Sequence, residues 1–193
     1  MAFLPVILVF ILYFSGIPIA YALFGASLTY FGFINVGSPP HLLLQRFITS
    51  AQNFSLLAIP FFVLAGNLMN TGGIARRLVG LAQLVAHKLP GSLAQTNIVA
   101  NMLFGAMSGS GVAAAVAMGN ILGPMEKEAG YSDEYIAVCN IASGPTGMMI
   151  PPSNIMIVYS TVAGSVSIAA LFMAGYVPGI LLGLGCMIVA GVM

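Results

Sequence analysis

Met107-Ser108-Gly109-Ser110-Gly111 interrupts an apolar run that extends from Leu93 to Pro124. Each flanking arm has about 14 residues, roughly 21 Å of helix, whereas a bilayer core is about 30 Å thick. Neither arm crosses alone. The interruption therefore reads as the tip of a re-entrant helical hairpin over 93–124, with one glycine-kinked span as the alternative. Flanking charge favours the hairpin. Lys88 precedes the run and Glu126-Lys127-Glu128 follow it, so a hairpin leaves both polar loops on one face.

A second interruption follows. From Tyr135 to Met193 no residue is charged, yet Ser143-Gly144-Pro145-Thr146-Gly147 and then Pro151-Pro152-Ser153-Asn154 fall inside the run. Proline lacks the backbone donor and restricts the residue before it. A broken helix is expected over 135–163, and a further transmembrane helix over 166–193 that returns to the scaffold.

Composition sets the solvent. Of 193 residues, 60% are hydrophobic and 5% are charged, and mean hydropathy is +1.05. A soluble domain carries roughly a quarter charged residues. The chain reads as an all-α integral membrane protein. Five basic against four acidic residues leave no electrostatic footprint for nucleic acid. Cys139 and Cys186 lie in apolar surroundings without metal-ligand spacing and read as packing residues.

Toward the N-terminus, Met1 to Phe33 is uncharged and broken only by Ser15-Gly16-Ile17-Pro18. It accommodates one kinked span or two short ones; one span kinked before Pro18 is the expectation. Gly37-Ser38-Pro39-Pro40 reads as a turn, His41 to Asn53 as an interfacial helix, and Ser55 to Met69 as apolar helix closed by Asn70-Thr71-Gly72-Gly73. Residues 1–73 thus form scaffold helices. Residues 74–90 read as an amphipathic surface helix, with Ile74, Leu78, Leu81, Leu84 and Val85 as its apolar side. Arg76, Arg77 and Lys88 assign that side to the cytoplasm.

Unpaired backbone groups in hydrocarbon cost several kcal/mol each, so broken helices persist where protein, water or a ligand satisfies them. Two Ser/Thr/Gly breaks facing each other offer carbonyl and hydroxyl oxygens to a hard monovalent cation, and helix N-termini to an anion. The hairpin and the last 59 residues hold no titratable relay by this reading. Sodium coupling is therefore expected over proton coupling. A serine hydrolase built on Ser108 or Ser110 lacks a nearby base, since His41 and His87 fall in interfacial stretches. No catalytic residue is expected. A channel with a re-entrant pore loop is the alternative to a carrier.

Several stretches carry a resemblance. They are Ile59-Pro60-Phe61-Phe62-Val63-Leu64-Ala65-Gly66-Asn67-Leu68-Met69, Gly72 to Leu78, Met102 to Ser110, Gly147 with Ile150-Pro151-Pro152-Ser153, and Val162-Ala163-Gly164. Together they resemble the large membrane subunit of the tripartite ATP-independent periplasmic (TRAP) transporters, in order along nearly the whole chain. The resemblance implies the first of two inverted repeats of an elevator-type, sodium-coupled symporter for a small organic acid in the bacterial inner membrane. It implies a periplasmic substrate-binding protein and a small four-helix membrane subunit as partners. It makes residues 91–165 half of a transport domain and 74–90 its arm helix.

By the same resemblance, Ser108, Gly109 and Ser110 form the hairpin tip, and Ser143, Gly144, Thr146 and Gly147 an unwound stretch that completes a sodium site. Ser110 and Thr146 approach the substrate, while Asn154 either contacts it or caps the helix after the proline pair. Ala114 stands where many members carry an Asp, and Met148 replaces a proline.

Overall fold

The computed structural model describes residues 3–34, 41–164 and 166–193. The turn expected at Gly37-Ser38-Pro39-Pro40 lies outside them. Among the described residues every regular element is helical. The chain divides into two compact units, Met1–Asn53 and Phe54–Met193.

In the first unit, α1 (Leu4–Phe14) and α2 (Ile19–Thr29) pack against each other, and a π-helical turn, Tyr30–Ile34, follows. The single kinked span is not what forms. Gly16 adopts φ +86°, Gly16 N–H donates to Tyr13 O and Ile17 N–H to Leu12 O. That pair of bonds caps α1 with a left-handed glycine, and the chain reverses instead of bending. α3 (His41–Ala51) buries Leu43, and its Phe47 ring meets Phe24 edge-on at 5.7 Å.

The second unit opens with a 3-10 turn, Phe54–Leu57, and α4 (Ala58–Thr71). Pro60 falls in the first turn of α4, where its missing N–H leaves no helical bond unmade. With α10 (Ile168–Val192), residues Phe54–Thr71 are long and apolar enough to cross a membrane. Between them lie α5 (Ile74–Ala86), α6 (Ser92–Ser108), α7 (Gly111–Glu128), α8 (Asp133–Met149) and α9 (Asn154–Ala163).

α6 is the hub. It packs against α5, α7, α8 and α10. The α6–α7 pair is a helical hairpin, as the sequence indicates, with arms of 17 and 18 residues. Gly109, at φ +65°, ends α6, and the Ser110 hydroxyl caps α7 by accepting from Ala113 N–H at 3.3 Å.

α5 turns its large apolar side outward and its small residues inward. Ala75, Val79 and Ala82 are buried in a core with Ala100, Phe104, Ala114 and Leu122, and Ala86 is buried too, while Ile74, Leu81, Leu84 and Val85 are exposed. In lipid the large apolar side chains gain nothing by turning inward, and small residues let backbones approach closely. Ala82→Leu should therefore cost about 1–3 kcal/mol by overpacking, and Leu84→Ala within about 0.5 kcal/mol of nothing. Thermal unfolding of the two variants, followed by circular dichroism, checks this.

α10 lies against α8, α6 and α9, and its Ile168 and Phe172 line a cavity with Phe54, Ala58 and Phe61. Gly175, Gly179 and Gly183 form its contact stripe; a Cβ on Gly175 would stand 2.6 Å from Met149 O, and one on Gly179 3.0 Å from Ile150 N. Gln95 donates to Met187 O, and the Tyr135 hydroxyl to Ala190 O, each at 2.8 Å.

Candidate functional site: two helix breaks that meet

The unwinding expected at Ser143–Gly147 is not there. α8 runs unbroken through Pro145 to Met149, and Thr146 O still accepts from Ile150 N–H at 3.2 Å. The break lies at Ile150–Ser153, around a cis Pro151–Pro152 bond. A single proline removes one helical bond and is tolerated, whereas two in succession remove two donors.

The small residues of α8 serve a different purpose. A Cβ on Gly147 would stand 2.5 Å from Gly105 Cα and 2.6 Å from Asn101 O, and one on Gly111 would stand 2.7 Å from Gly144 O. Both hairpin arms thus rest directly on the α8 backbone, Gly105 of α6 against Gly147 and Gly111 of α7 against Gly144. These contacts hold the tip in register with the end of α8.

The tip meets the second break. Asn154 N–H donates to Gly109 O at 3.4 Å, so the start of α9 touches the turn of the hairpin. The C-termini of α6 and α8 and the N-termini of α7 and α9 therefore converge. Last-turn carbonyls have no partner within their own helix, and first-turn N–H groups likewise. Such an arrangement offers partial negative charge to a cation and partial positive charge to an anion.

Side-chain oxygens at this junction lack partners. Ser153 is fully buried with its Oγ unbonded, and Asn154 Oδ1 is buried without a donor. Ser153 was not singled out from the sequence as a ligand; the only signal was its place directly after the two prolines. Ser108 is 3% exposed and its Oγ donates to Ser110 O at 3.3 Å. Thr146 is fully buried and its hydroxyl donates to Ser143 O. The Ser143 hydroxyl donates to Cys139 O at 2.7 Å and accepts from Asn101 Nδ2 at 2.8 Å.

On the other side of the tip, Ser108 and Ser110 line a cavity of about 130 Å³ with Asn67 and Asn70 of α4, between Phe62 and Phe104. No charged residue faces it. Its polar groups are amides and hydroxyls. Among the described residues no group of three or more His, Cys, Asp or Glu is placed to hold a metal ion.

The family model for the DctM component of the tripartite ATP-independent periplasmic transporters matches residues 6–193. The chain belongs to this family. An uncharacterised protein of Salmonella typhimurium, YgiK, is 54% identical over 179 residues, 91% of this chain and 40% of the relative. The C4-dicarboxylate TRAP transporter large permease protein of Vibrio cholerae is 40% identical over 88% of this chain and 37% of its own length. The sialic acid TRAP transporter permease protein of Haemophilus influenzae is 38% identical over 92% of this chain and 28% of its own length. The chain thus spans less than half the length of these curated relatives. As a DctM-family chain it places the Ser108-Gly109-Ser110 tip and the Pro151-Pro152-Ser153 break side by side.

A charged group escaped the sequence reading. α7 runs four residues past Pro124, and Glu126 is 1% exposed, with Asn97 of α6 on its carboxylate. The hairpin is therefore not free of titratable side chains. Asn97 and Asn101 make interhelical bonds, to Glu126 of α7 and Asn140 of α8. Asn120 is exposed, and Asn140 bridges instead, donating to Ala115 O at 2.7 Å.

Proposed function

We propose that the chain is the N-terminal part of the large membrane subunit of a sodium-coupled carrier for a small organic acid. In this reading it resides in the bacterial inner membrane as a multi-pass protein and works by an elevator movement. The hairpin is re-entrant, and its tip travels with α8 and α9. A periplasmic binding protein delivers the acid, and a small four-helix membrane subunit braces the scaffold. The named substrates of the relatives, a C4-dicarboxylate and sialic acid, support the substrate class.

The observation that carries the reading is the junction itself. Two pairs of helix ends converge with Ser153 Oγ and Asn154 Oδ1 buried and unbonded. A buried oxygen without a donor costs about 1–3 kcal/mol, and a sodium ion bound there removes the deficit. Tip carbonyls over Ser108, Gly109 and Ser110 complete the oxygen set, with backbone oxygens of Ser143, Gly144, Thr146 and Gly147 along the last turns of α8. An acid entering beside Asn67, Asn70 and Ser110 meets no cationic side chain. Sodium then supplies the compensating charge, which is the physical basis of coupling. Ser110, Thr146 and Asn154 are the proposed substrate neighbours.

Sodium chloride, but not potassium chloride or choline chloride, should raise the melting temperature of the lipid- or detergent-held protein. Ser153→Ala together with Asn154→Leu should weaken the apparent sodium affinity at least tenfold. Equal shifts with all three salts would overturn the sodium assignment.

A further inference from the structure

Glu126 lies in the last turn of α7, removed from solvent. Both carboxylate oxygens meet Asn97 Nδ2, at 3.2 and 3.3 Å. Among the described residues no cation pairs with it. Lys127, the next residue, pairs with Asp133 at 2.9 Å. From α8 the titratable groups that face Glu126 are Tyr135 and Cys139, neither of them a cation. α6 contributes no titratable group. On its own helix Glu128 is exposed, as are Arg76 and Arg77 of α5 and His87 and Lys88 just beyond it. A carboxylate taken out of water without a cation is disfavoured in its charged form, and a bound proton removes that penalty.

The groups beyond Asn97 are short of donors. Asn101 Nδ2 has three oxygens around it, Asn97 Oδ1 at 2.9 Å, Asn140 Oδ1 at 3.0 Å and Ser143 Oγ at 2.8 Å. An amide nitrogen carries only two hydrogens. Asn101 Oδ1, on a side chain with no exposed surface, has no donor at all. With Glu126 ionised, the amides must point their nitrogens toward it, and the deficit collects at Asn101.

We propose that Glu126 is a proton-binding site whose occupancy is relayed through Asn97 and Asn101 to the Ser143 hydroxyl. The proton comes from water at the base of the hairpin. Once protonated, the carboxyl donates to Asn97 Oδ1 as that amide turns over. Asn97 Nδ2 then donates to Asn101 Oδ1, which also turns. Ser143 Oγ and Asn140 Oδ1 lose the donor they had from Asn101, the Ser143 hydrogen turns from Cys139 O to Asn101 Oδ1, and the Oγ lone pairs become free on the helix that closes the junction. Asparagines do not carry the proton; they carry the polarity of the hydrogen-bond chain.

The proton site stands without the sodium reading, and only its effect at Ser143 rests on that reading. Infrared difference spectra of the full chain in lipid, between about pH 5 and about pH 9, detect the carbonyl stretch of a neutral carboxyl. The band is expected in the wild type and absent in Glu126→Gln. The folded state holds a proton that the unfolded state has released, so the melting temperature should fall as pH rises through this window. Glu126→Gln should flatten that slope. The sodium midpoint should move at least threefold with pH in the wild type and stay fixed in Glu126→Gln.

A wild type without the band, or a variant that keeps both band and slope, overturns the proton site. A band that disappears with Glu126→Gln while sodium has no effect at any pH keeps the proton site and removes the sodium reading. A pH-independent sodium midpoint in the wild type overturns the relay to Ser143.

Discussion

Gly147→Val is expected to unfold the crossing of α6 and α8. Its first new carbon would stand 2.5 Å from Gly105 Cα and 2.6 Å from Asn101 O, both backbone atoms that no rotamer change moves aside. Overpacking costs about 1–3 kcal/mol where side chains can yield, and the backbone contact puts this substitution at or above about 3 kcal/mol. For a chain of this length that is a fall of roughly 6–12 °C in melting temperature. Gly185→Val on α10 is the control, since nothing stands within 4 Å of a Cβ there. Should the two variants melt together, the glycine crossing is not what sets the tip against α8. Because the same crossing positions Gly109 beside Asn154, Gly147→Val should also abolish the sodium-specific shift.

Asn97→Leu has the second large effect. It removes the amide on both Glu126 oxygens and the acceptor of Asn101 Nδ2 in one step. Leaving a buried group without its hydrogen-bond partner costs about 1–3 kcal/mol, and more while that group is charged. The loss should be largest at the alkaline end of the range, where Glu126 is ionised, and shrink as the pH falls and Glu126 takes up a proton. Adding Glu126→Leu to the same chain should restore much of the stability. A single Asn97→Leu variant as stable as the wild type at alkaline pH would show that the carboxylate is compensated elsewhere. Circular dichroism melting across pH reads both outcomes.

Part of this fold is legible in the sequence. The hairpin follows from a Ser-Gly-Ser centre between arms too short to cross a bilayer, and its arms do pack together. The same logic misplaced the second break. Glycine and proline at 144–147 looked like unwinding, yet the glycines are there because two helices approach backbone to backbone. From sequence, a residue chosen for closeness and one chosen for flexibility are the same glycine. Ser153 was overlooked because its unpaired hydroxyl is a property of what surrounds it, and Glu126 because Pro124 looked like the end of α7. Asn154 was placed between capping and ligand contact; its backbone N–H reaches the tip, and its side-chain oxygen has no partner.

Composition and periodicity alone determined the solvent, the helical class and the first interruption, because these depend on counts and spacings along the chain. Tertiary structure decided which face of α5 is inside, where α8 actually ends, and which oxygens are left without donors. Those outcomes depend on what lies opposite each residue. In a lipid-solvated chain hydrophobicity does not separate inside from outside, so packing size and polar satisfaction take over, and both are relations between residues distant in sequence.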